Sequence, residues 1–403
     1  MKKKKSLLDG WSRRELLKSA GLGFCALCLS SIPGCSLEEK TEEQRVPEKE
    51  DGEAAVEQVL TQEKGLVKPR AASWFKQLDQ ARIQCQLCPK ECQLESGERA
   101  PCRVRENRKG EGYTLAYGNP ALIQEDPVER KPFFHVLPES RALSISTAGC
   151  NLDCKFCEVW DMALEDPENV YAHDVPPERV IQLARESNLR SVSYAFGEPV
   201  IFYEYMKDIA NLAREKGLLN LMHTAGFIQP EPLKEIIGKM DAVNVDLKSF
   251  NPDFYREIVG GELEPVLENL KRMRDAGIHM EITNILIPSL NDDLEQISEM
   301  CTWIVQELGA GVPIHFARFY PLYKLSDLPR TPVSTLDQAR DTALQAGLHY
   351  VYITRVTEHE GENTFCPRCR EKIINRMGFV LEEILLEEGR CKFCDLEIPG
   401  IWG

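Results

Sequence analysis

From Arg141 onward, short apolar or β-branched runs alternate with stretches whose apolar residues recur at three- and four-residue intervals. The runs Leu143 to Thr147, Ser191 to Tyr194, Leu218 to Thr224, Ala242 to Asp246, Met280 to Ile287 and Ile314 to Arg318 read as strands, with Tyr350 to Thr354 as one more. Between them, residues 177–187, 202–216, 231–238, 263–276, 293–307 and 335–346 read as helices. Strand and helix in strict alternation predict a parallel sheet covered by helices. The fold class is therefore α/β, and six such units suit a partial (β/α)6 barrel with its ligand site at the carboxyl ends of the strands.

The pattern before residue 141 is different. Lys2 to Lys5 make a basic start, and an apolar run from Ala20 to Ile32 is too short to span a bilayer comfortably. Between them, Ser12-Arg13-Arg14-Glu15-Leu16-Leu17-Lys18 resembles a twin-arginine export signal. The run ends in Ile32-Pro33-Gly34-Cys35, which resembles a lipoprotein cleavage site with Cys35 as the lipidated residue; an uncleaved signal anchor is the alternative. This leader (1–35) predicts export to the periplasm or the outer face of the membrane. Residues 36–72 are rich in Glu and Lys and poor in aromatics, which reads as an acidic flexible tether. The remaining divisions are an N-terminal cysteine module (73–140), the barrel (141–356) and a C-terminal module (357–403).

Charge removes one class of partner. The formal net charge of −15 gives no electrostatic footprint for nucleic acid. A body this acidic would be repelled by anionic lipid, so membrane attachment would come through the leader only.

The fifteen cysteines are the compositional outlier. Cys85, Cys88, Cys92 and Cys102 follow C-x2-C-x3-C-x9-C, and four soft thiolates that close in sequence can hold zinc or iron. Cys366, Cys369, Cys391 and Cys394 form two C-x2-C knuckles, a zinc-ribbon-like or rubredoxin-like pattern. Two disulfides are the alternative at each module. Cys150, Cys154 and Cys157 follow C-x3-C-x2-C at the end of the first predicted strand. Three thiols can bind three irons of a [4Fe–4S] cluster, leaving the fourth iron open to a small ligand. A partial zinc site or three unrelated thiols are the alternatives.

That spacing, with Phe156 just before the last Cys, resembles the radical S-adenosylmethionine superfamily. The wider order of motifs adds to it: Cys85-Gln86-Leu87-Cys88-Pro89, Asp126-Pro127-Val128-Glu129-Arg130-Lys131-Pro132, Asp246-Leu247-Lys248, Ile287-Pro288-Ser289-Leu290-Asn291-Asp292, Arg318-Phe319-Tyr320-Pro321 and Ile398-Pro399-Gly400-Ile401-Trp402. Together they resemble the radical-SAM member of the AmmeMemoRadiSam system, a relative of pyruvate formate-lyase activating enzymes. The resemblance implies a [4Fe–4S] cluster and S-adenosylmethionine; zinc at one or both four-cysteine sites is read from the cysteine spacing alone. The resemblance also implies that Gly197 and Glu198 hold the ammonium of S-adenosylmethionine, Lys248 of the Asp246 pair its carboxylate, and Phe156 its adenine. Thr224 opens Thr224-Ala225-Gly226, where relatives often show Asn in the middle, and Tyr323 falls where they place a His.

The expected reaction is reductive cleavage of S-adenosylmethionine to a 5′-deoxyadenosyl radical that abstracts hydrogen from an unidentified protein or small molecule, fed by an external one-electron donor. The rival classes are a membrane-tethered iron–sulfur electron carrier and an exported binding module held by zinc or disulfides.

Overall fold

The computed structural model describes residues 60–403. The leader, and the tether as far as residue 59, lie outside the described residues. Among the described residues no helix is long and apolar enough to cross a membrane.

An eight-stranded sheet runs in sequence order: β1 (Leu122–Pro127), β2 (Arg141–Ser146), β3 (Ser191–Tyr194), β4 (Leu219–Thr224), β5 (Ala242–Asp246), β6 (His279–Leu286), β7 (Ile314–Arg318) and β8 (Val351–Thr354). Strands β2 to β8 are parallel, and β1 is antiparallel to β2. Helices α1 (Pro177–Glu186), α2 (Tyr203–Glu215), α3 (Pro230–Ile237), α4 (Leu263–Asp275), α5 (Leu294–Glu307) and α6 (Val333–Gln345) carry the crossovers. Local chemistry sets several of their starts. Pro177 and Pro230 occupy first-turn positions, where a missing N–H costs nothing. Asp293 caps α5, accepting from Glu295 N and Gln296 N at 3.0 Å each.

The strands alternate by face. Leu143, Ile145, Val192, Val243, Val245, Ile282, Phe316 and Ile353 join the main apolar core under the helices. Burying such a side chain contributes about 1.5–3 kcal/mol each. The opposite face carries Ala142, Leu221 and Ala242 near the amino ends, packed on Phe133, Val136 and Leu137. The same segment reaches the later strands: Glu281 accepts from Phe134 N at 3.1 Å and His135 N at 2.9 Å, and the Phe134 ring meets His315 and Tyr352. One short segment thus touches β2 and β4 to β8, so the sheet curves around it. The plug fills the amino end and leaves the carboxyl ends as the mouth.

Residues 372–377 and 380–384 form a hairpin that, with residues 364–365, makes a three-stranded antiparallel sheet near the C-terminus. Arg376 from this sheet is buried, with one guanidinium nitrogen donating to Phe134 O at 2.8 Å and another to Thr364 Oγ1 at 2.7 Å. The closing Ile401 N donates to His135 O at 2.8 Å and its carbonyl accepts from Leu137 N at 2.7 Å. The last residues therefore seal the barrel's amino end.

Two readings move. Gln62–Lys64 pairs with Tyr171–His173, and Arg70–Ala71 pairs with Tyr113 and Thr114, so the tether does not extend to residue 72. These short, polar strands are recruited by backbone pairing and carry no apolar alternation. The N-terminal cysteine module also shares the main core: Ile83, Leu87, Leu94 and Val104 belong to the same buried cluster as β2 and β3.

Candidate functional site

Strand β2 leads directly into Cys150, Cys154 and Cys157. Their loop is strapped at both sides. Asn151 Nδ2 donates to Phe227 O at 2.7 Å, while Asp153 N and Lys155 N donate to Val259 O and Ile258 O at 2.9 Å each. The two carbonyls come from a π-helical turn, Tyr255–Val259, a geometry enriched at functional sites. Cys154 is buried, and Cys150 and Cys157 are partly so. Burial pushes the Cys154 thiol up to about 12, with Lys248 pulling the other way. The three sulfurs feel one another's charge, and Cys150 also feels Glu198.

The end of β3 supplies Gly197 and Glu198. Gly197 N donates to Ser146 Oγ at 3.0 Å, and a Cβ on Gly197 would stand 2.4 Å from that oxygen. Only glycine fits there without displacing Ser146. Phe196, just before Gly197, sits at φ 70°, a left-handed conformation that strains a bulky residue. Arg130 and Lys131 lie over its ring at 5.5 and 5.3 Å from the centroid. Glu198 is buried, accepting from Val200 N at 3.1 Å, Thr224 Oγ1 at 2.6 Å and Ala225 N at 2.8 Å. Burial raises its pKa, and these three donors oppose the rise. Thr224 thereby ties β4 to Glu198, and Ala225 contributes its backbone N–H in place of a polar side chain.

The end of β5 supplies Asp246 and Lys248. Asp246 accepts from Lys248 Nζ at 2.9 Å and is bonded to His223 Nε2 at 2.8 Å. Burial would raise the Asp246 carboxyl, but Lys248 and His223 outweigh it and hold it below the usual range. Burial would lower Lys248, but Asp246 and Cys154 outweigh it. A loose surface pair would show none of this. Lys248 lies 5.7 Å from the Phe156 ring centroid, and Phe156 packs on Phe254. Its backbone is fixed as well: its N–H donates to Tyr255 Oη at 3.1 Å and its carbonyl accepts from Asn291 Nδ2 at 2.8 Å. Asn291 of the Ile287 to Asp292 motif therefore positions Lys248. Tyr323 stacks on Trp160, ring centroids 5.3 Å apart.

The two flanking cysteine sets differ. Cys366 Sγ lies 3.5 Å from Cys394 Sγ, and Cys369 Sγ lies 3.6 Å from Cys391 Sγ. All four sulfurs lie within 4.8 Å of one another, the one such group among the described residues. Four thiolates at 2.3 Å from a tetrahedral zinc would stand about 3.8 Å apart, so this set fits a single ion. Burial raises the Cys366 thiol, but the backbone N–H groups of Cys369 and Arg368 outweigh it and bring it to about 7. Cys85, Cys88, Cys92 and Cys102 line one cavity without drawing that close. All twelve described cysteines are free thiols, which disfavours the disulfide alternative.

Several residues of this site are invisible to sequence reasoning. His223 reaches Asp246 from the neighbouring strand, and Ser146 meets Gly197 across β2 and β3. Neither lies in a motif, although each sits at the last or penultimate position of a predicted strand, where barrel ligands gather.

Comparison with known proteins fits this geometry. The profile of the Radical SAM superfamily matches residues 144–301. An uncharacterized protein of Methanocaldococcus jannaschii is 40% identical over 331 residues, covering 82% of this chain and 98% of that one. Residues 144–301 are a radical SAM domain, and the chain shares a family with that archaeal protein. It is also related to activating enzymes: the pyruvate formate-lyase-activating enzyme of Clostridium pasteurianum is 26% identical over 39% of this chain and 66% of its own length. A domain of the pyruvate-formate lyase-activating enzyme of Bacteroides vulgatus aligns at a TM-score of 0.37 and 20% identity, over 40% of this chain and 98% of that one. Membership implies a [4Fe–4S] cluster and S-adenosylmethionine. Three free thiols on a fixed loop suit the cluster, and the buried carboxylate of Glu198 near Cys150 suits an ammonium.

Proposed function

We propose that the protein is a radical-SAM enzyme of the AmmeMemoRadiSam branch that removes a hydrogen atom from a substrate at the barrel mouth. The observation that carries this reading is the convergence of three strand ends: the Cys150–Cys157 loop after β2, Glu198 after β3 and the Asp246–Lys248 pair after β5. When bound, the cluster and S-adenosylmethionine supply a one-electron cleavage that yields a 5′-deoxyadenosyl radical.

The chain's own groups have definable parts in this. Cys150, Cys154 and Cys157 would hold three irons and leave the fourth open. Glu198, fixed by three donors, keeps the end of β3 in place and offers negative charge to an ammonium. Lys248 keeps its proton and offers positive charge to a carboxylate, while Phe156 offers an apolar ring to adenine. The plug of residues 133–137 closes the opposite end and limits water. Relatives named for activating pyruvate formate-lyase and benzylsuccinate synthase favour a protein substrate, and an external donor must supply the electron.

The test is spectroscopic. S-adenosylmethionine added to the anaerobically reduced protein should alter the electron paramagnetic resonance of its cluster, because a ligand enters the open iron. A spectrum unchanged at saturating S-adenosylmethionine would overturn the assignment.

We also propose, from Arg13-Arg14 and Cys35, twin-arginine export with lipid attachment at Cys35. Replacing both arginines by lysine should hold the protein in the cytoplasm; normal export of that variant would refute the reading.

A further inference from the structure

We infer that Cys85, Cys88, Cys92 and Cys102 hold a second [4Fe–4S] cluster, placed beside the Cys150–Cys157 loop to pass it electrons. The electron recipient rests on the function proposed above; the second iron site does not.

The spacing of sulfurs is the first argument. A single zinc ion draws its thiolates to about 3.8 Å from one another. The C-terminal four meet that demand, and their sulfurs all lie within 4.8 Å. The three thiols of the Cys150 loop do not form such a group, as expected where each binds a separate iron of a cubane. Cys85, Cys88, Cys92 and Cys102 behave like the cubane ligands: they line one shared cavity without closing on a point. Within one chain, the wide sets and the tight set are distinguished by the same measure.

The second argument is a buried donor. Arg105 lines that space and is 1% exposed. One terminal nitrogen of its guanidinium donates to both Glu204 oxygens at 3.2 Å, and the other donates to Ser73 O. Its Nε–H is buried and has no partner. An unmet N–H donor on a buried side chain is costly, and an anionic cluster ringed by thiolate and sulfide sulfur would accept it. Lys90 lines the same space.

The third argument is place. Asn151 of the Cys150 loop lines the cavity, and Gly149 packs directly on the Cys102 carbonyl. Asp153 of that loop pairs with Lys90 at 3.7 Å and Arg103 at 3.6 Å. The module is thus docked on the one loop that an incoming electron must reach. A low-potential one-electron reductant, a reduced flavoprotein or iron–sulfur protein, would lose one electron to the second site. That site would pass it on and return to its starting state.

The experiment uses the full chain prepared anaerobically, with iron and zinc counted and the dithionite-reduced spectrum recorded. The parent should carry about eight irons, four per cluster. A variant with Cys150→Ala, Cys154→Ala and Cys157→Ala leaves the first module untouched. It should keep about four irons, with a resonance that S-adenosylmethionine does not perturb. An iron-free triple variant with zinc in the first module overturns the inference. In the otherwise intact protein, Arg105→Gln should move the potential of the S-adenosylmethionine-insensitive signal to lower values, with Arg105→Lys partly restoring it; an unmoved potential contradicts the role of Arg105. The two readings separate cleanly. Two clusters without 5′-deoxyadenosine would refute the proposed function alone, and an active enzyme with a zinc-filled first module would refute this site alone.

Discussion

Gly149 lies against the carbonyl of Cys102 so closely that a Cβ on it would stand 2.6 Å from the oxygen and 2.8 Å from Val104 Cγ1. Its φ of +96° is also one that side chains resist. The N-terminal module and the Cys150 loop therefore meet through a residue that has to be glycine. Gly149→Ala should cost about 1–3 kcal/mol from backbone strain alone and push the two elements apart. Thermal unfolding and iron content measure this; a variant with parental stability and full iron would show that the contact is dispensable.

Asp246 holds Lys248 over the Phe156 ring. Asp246→Asn keeps the size and removes the charge, leaving Lys248 without its main partner. A charge-assisted bond contributes about 1.5–3 kcal/mol, so S-adenosylmethionine should bind roughly tenfold to a hundredfold more weakly. Titration of the cluster spectrum with S-adenosylmethionine reads this directly. Equal affinity in parent and variant would remove the pair from the site.

Much of the barrel was legible because its strands have one apolar outer face and are separated by helical periodicity. Leu143, Ile145, Val243 and Val245 announce β2 and β5, and the observed helix ends differ from the expected ones by a residue or two. β1 was not legible. Its Gln124 and Asp126 look like loop residues, yet both are buried, Gln124 bonds to Asp126, and Asp126 forms an ion pair with Lys131. The strand is held by its backbone ladder with β2, which those buried polar groups do not announce. The cysteine loops were legible because their chemistry is local in sequence. The contacts that hold them were not: Asn151 to Phe227, Asp153 to Val259 and Asn291 to Lys248 join residues 43 to 106 positions apart. C-x2-C spacing is common to zinc and iron sites, so the sequence of the first module does not choose between them.

At the sealed end of the barrel, His135 is held neutral. Nδ1 lies 2.6 Å from Pro399 O and Nε2 lies 2.6 Å from Tyr352 Oη, one contact suiting a donor and the other an acceptor. Burial brings its pKa down to about 3, against a pull from Glu281. A histidine depressed in the fold adds stability that is present above its unfolded value near 6.5 and declines as pH falls from there towards 3. Unfolding of the apo protein, followed by Trp402 fluorescence beside His135, should show stability falling below about pH 6.5. His135→Asn should flatten that slope. An equal slope in both proteins would assign the acid sensitivity elsewhere.

The C-terminal four thiols should bind about one zinc per chain. Their module packs on Phe134 and Tyr352 of the plug and β8, so metal loss should loosen the barrel's sealed end as well as the module. Chelation, or Cys369→Ser, should lower the unfolding temperature and leave the iron spectrum in place. Retention of full stability without zinc would contradict a structural metal.

The central claim is that the Cys150 loop drives S-adenosylmethionine cleavage. The most direct measurement is anaerobic quantitation of 5′-deoxyadenosine and methionine from reduced parent and Cys154→Ala protein, side by side. The account predicts equal amounts of the two products from the parent and neither from the variant, with the C-terminal zinc retained in both. Cleavage by Cys154→Ala at the parental rate, or none by a parent carrying its full iron, would contradict it.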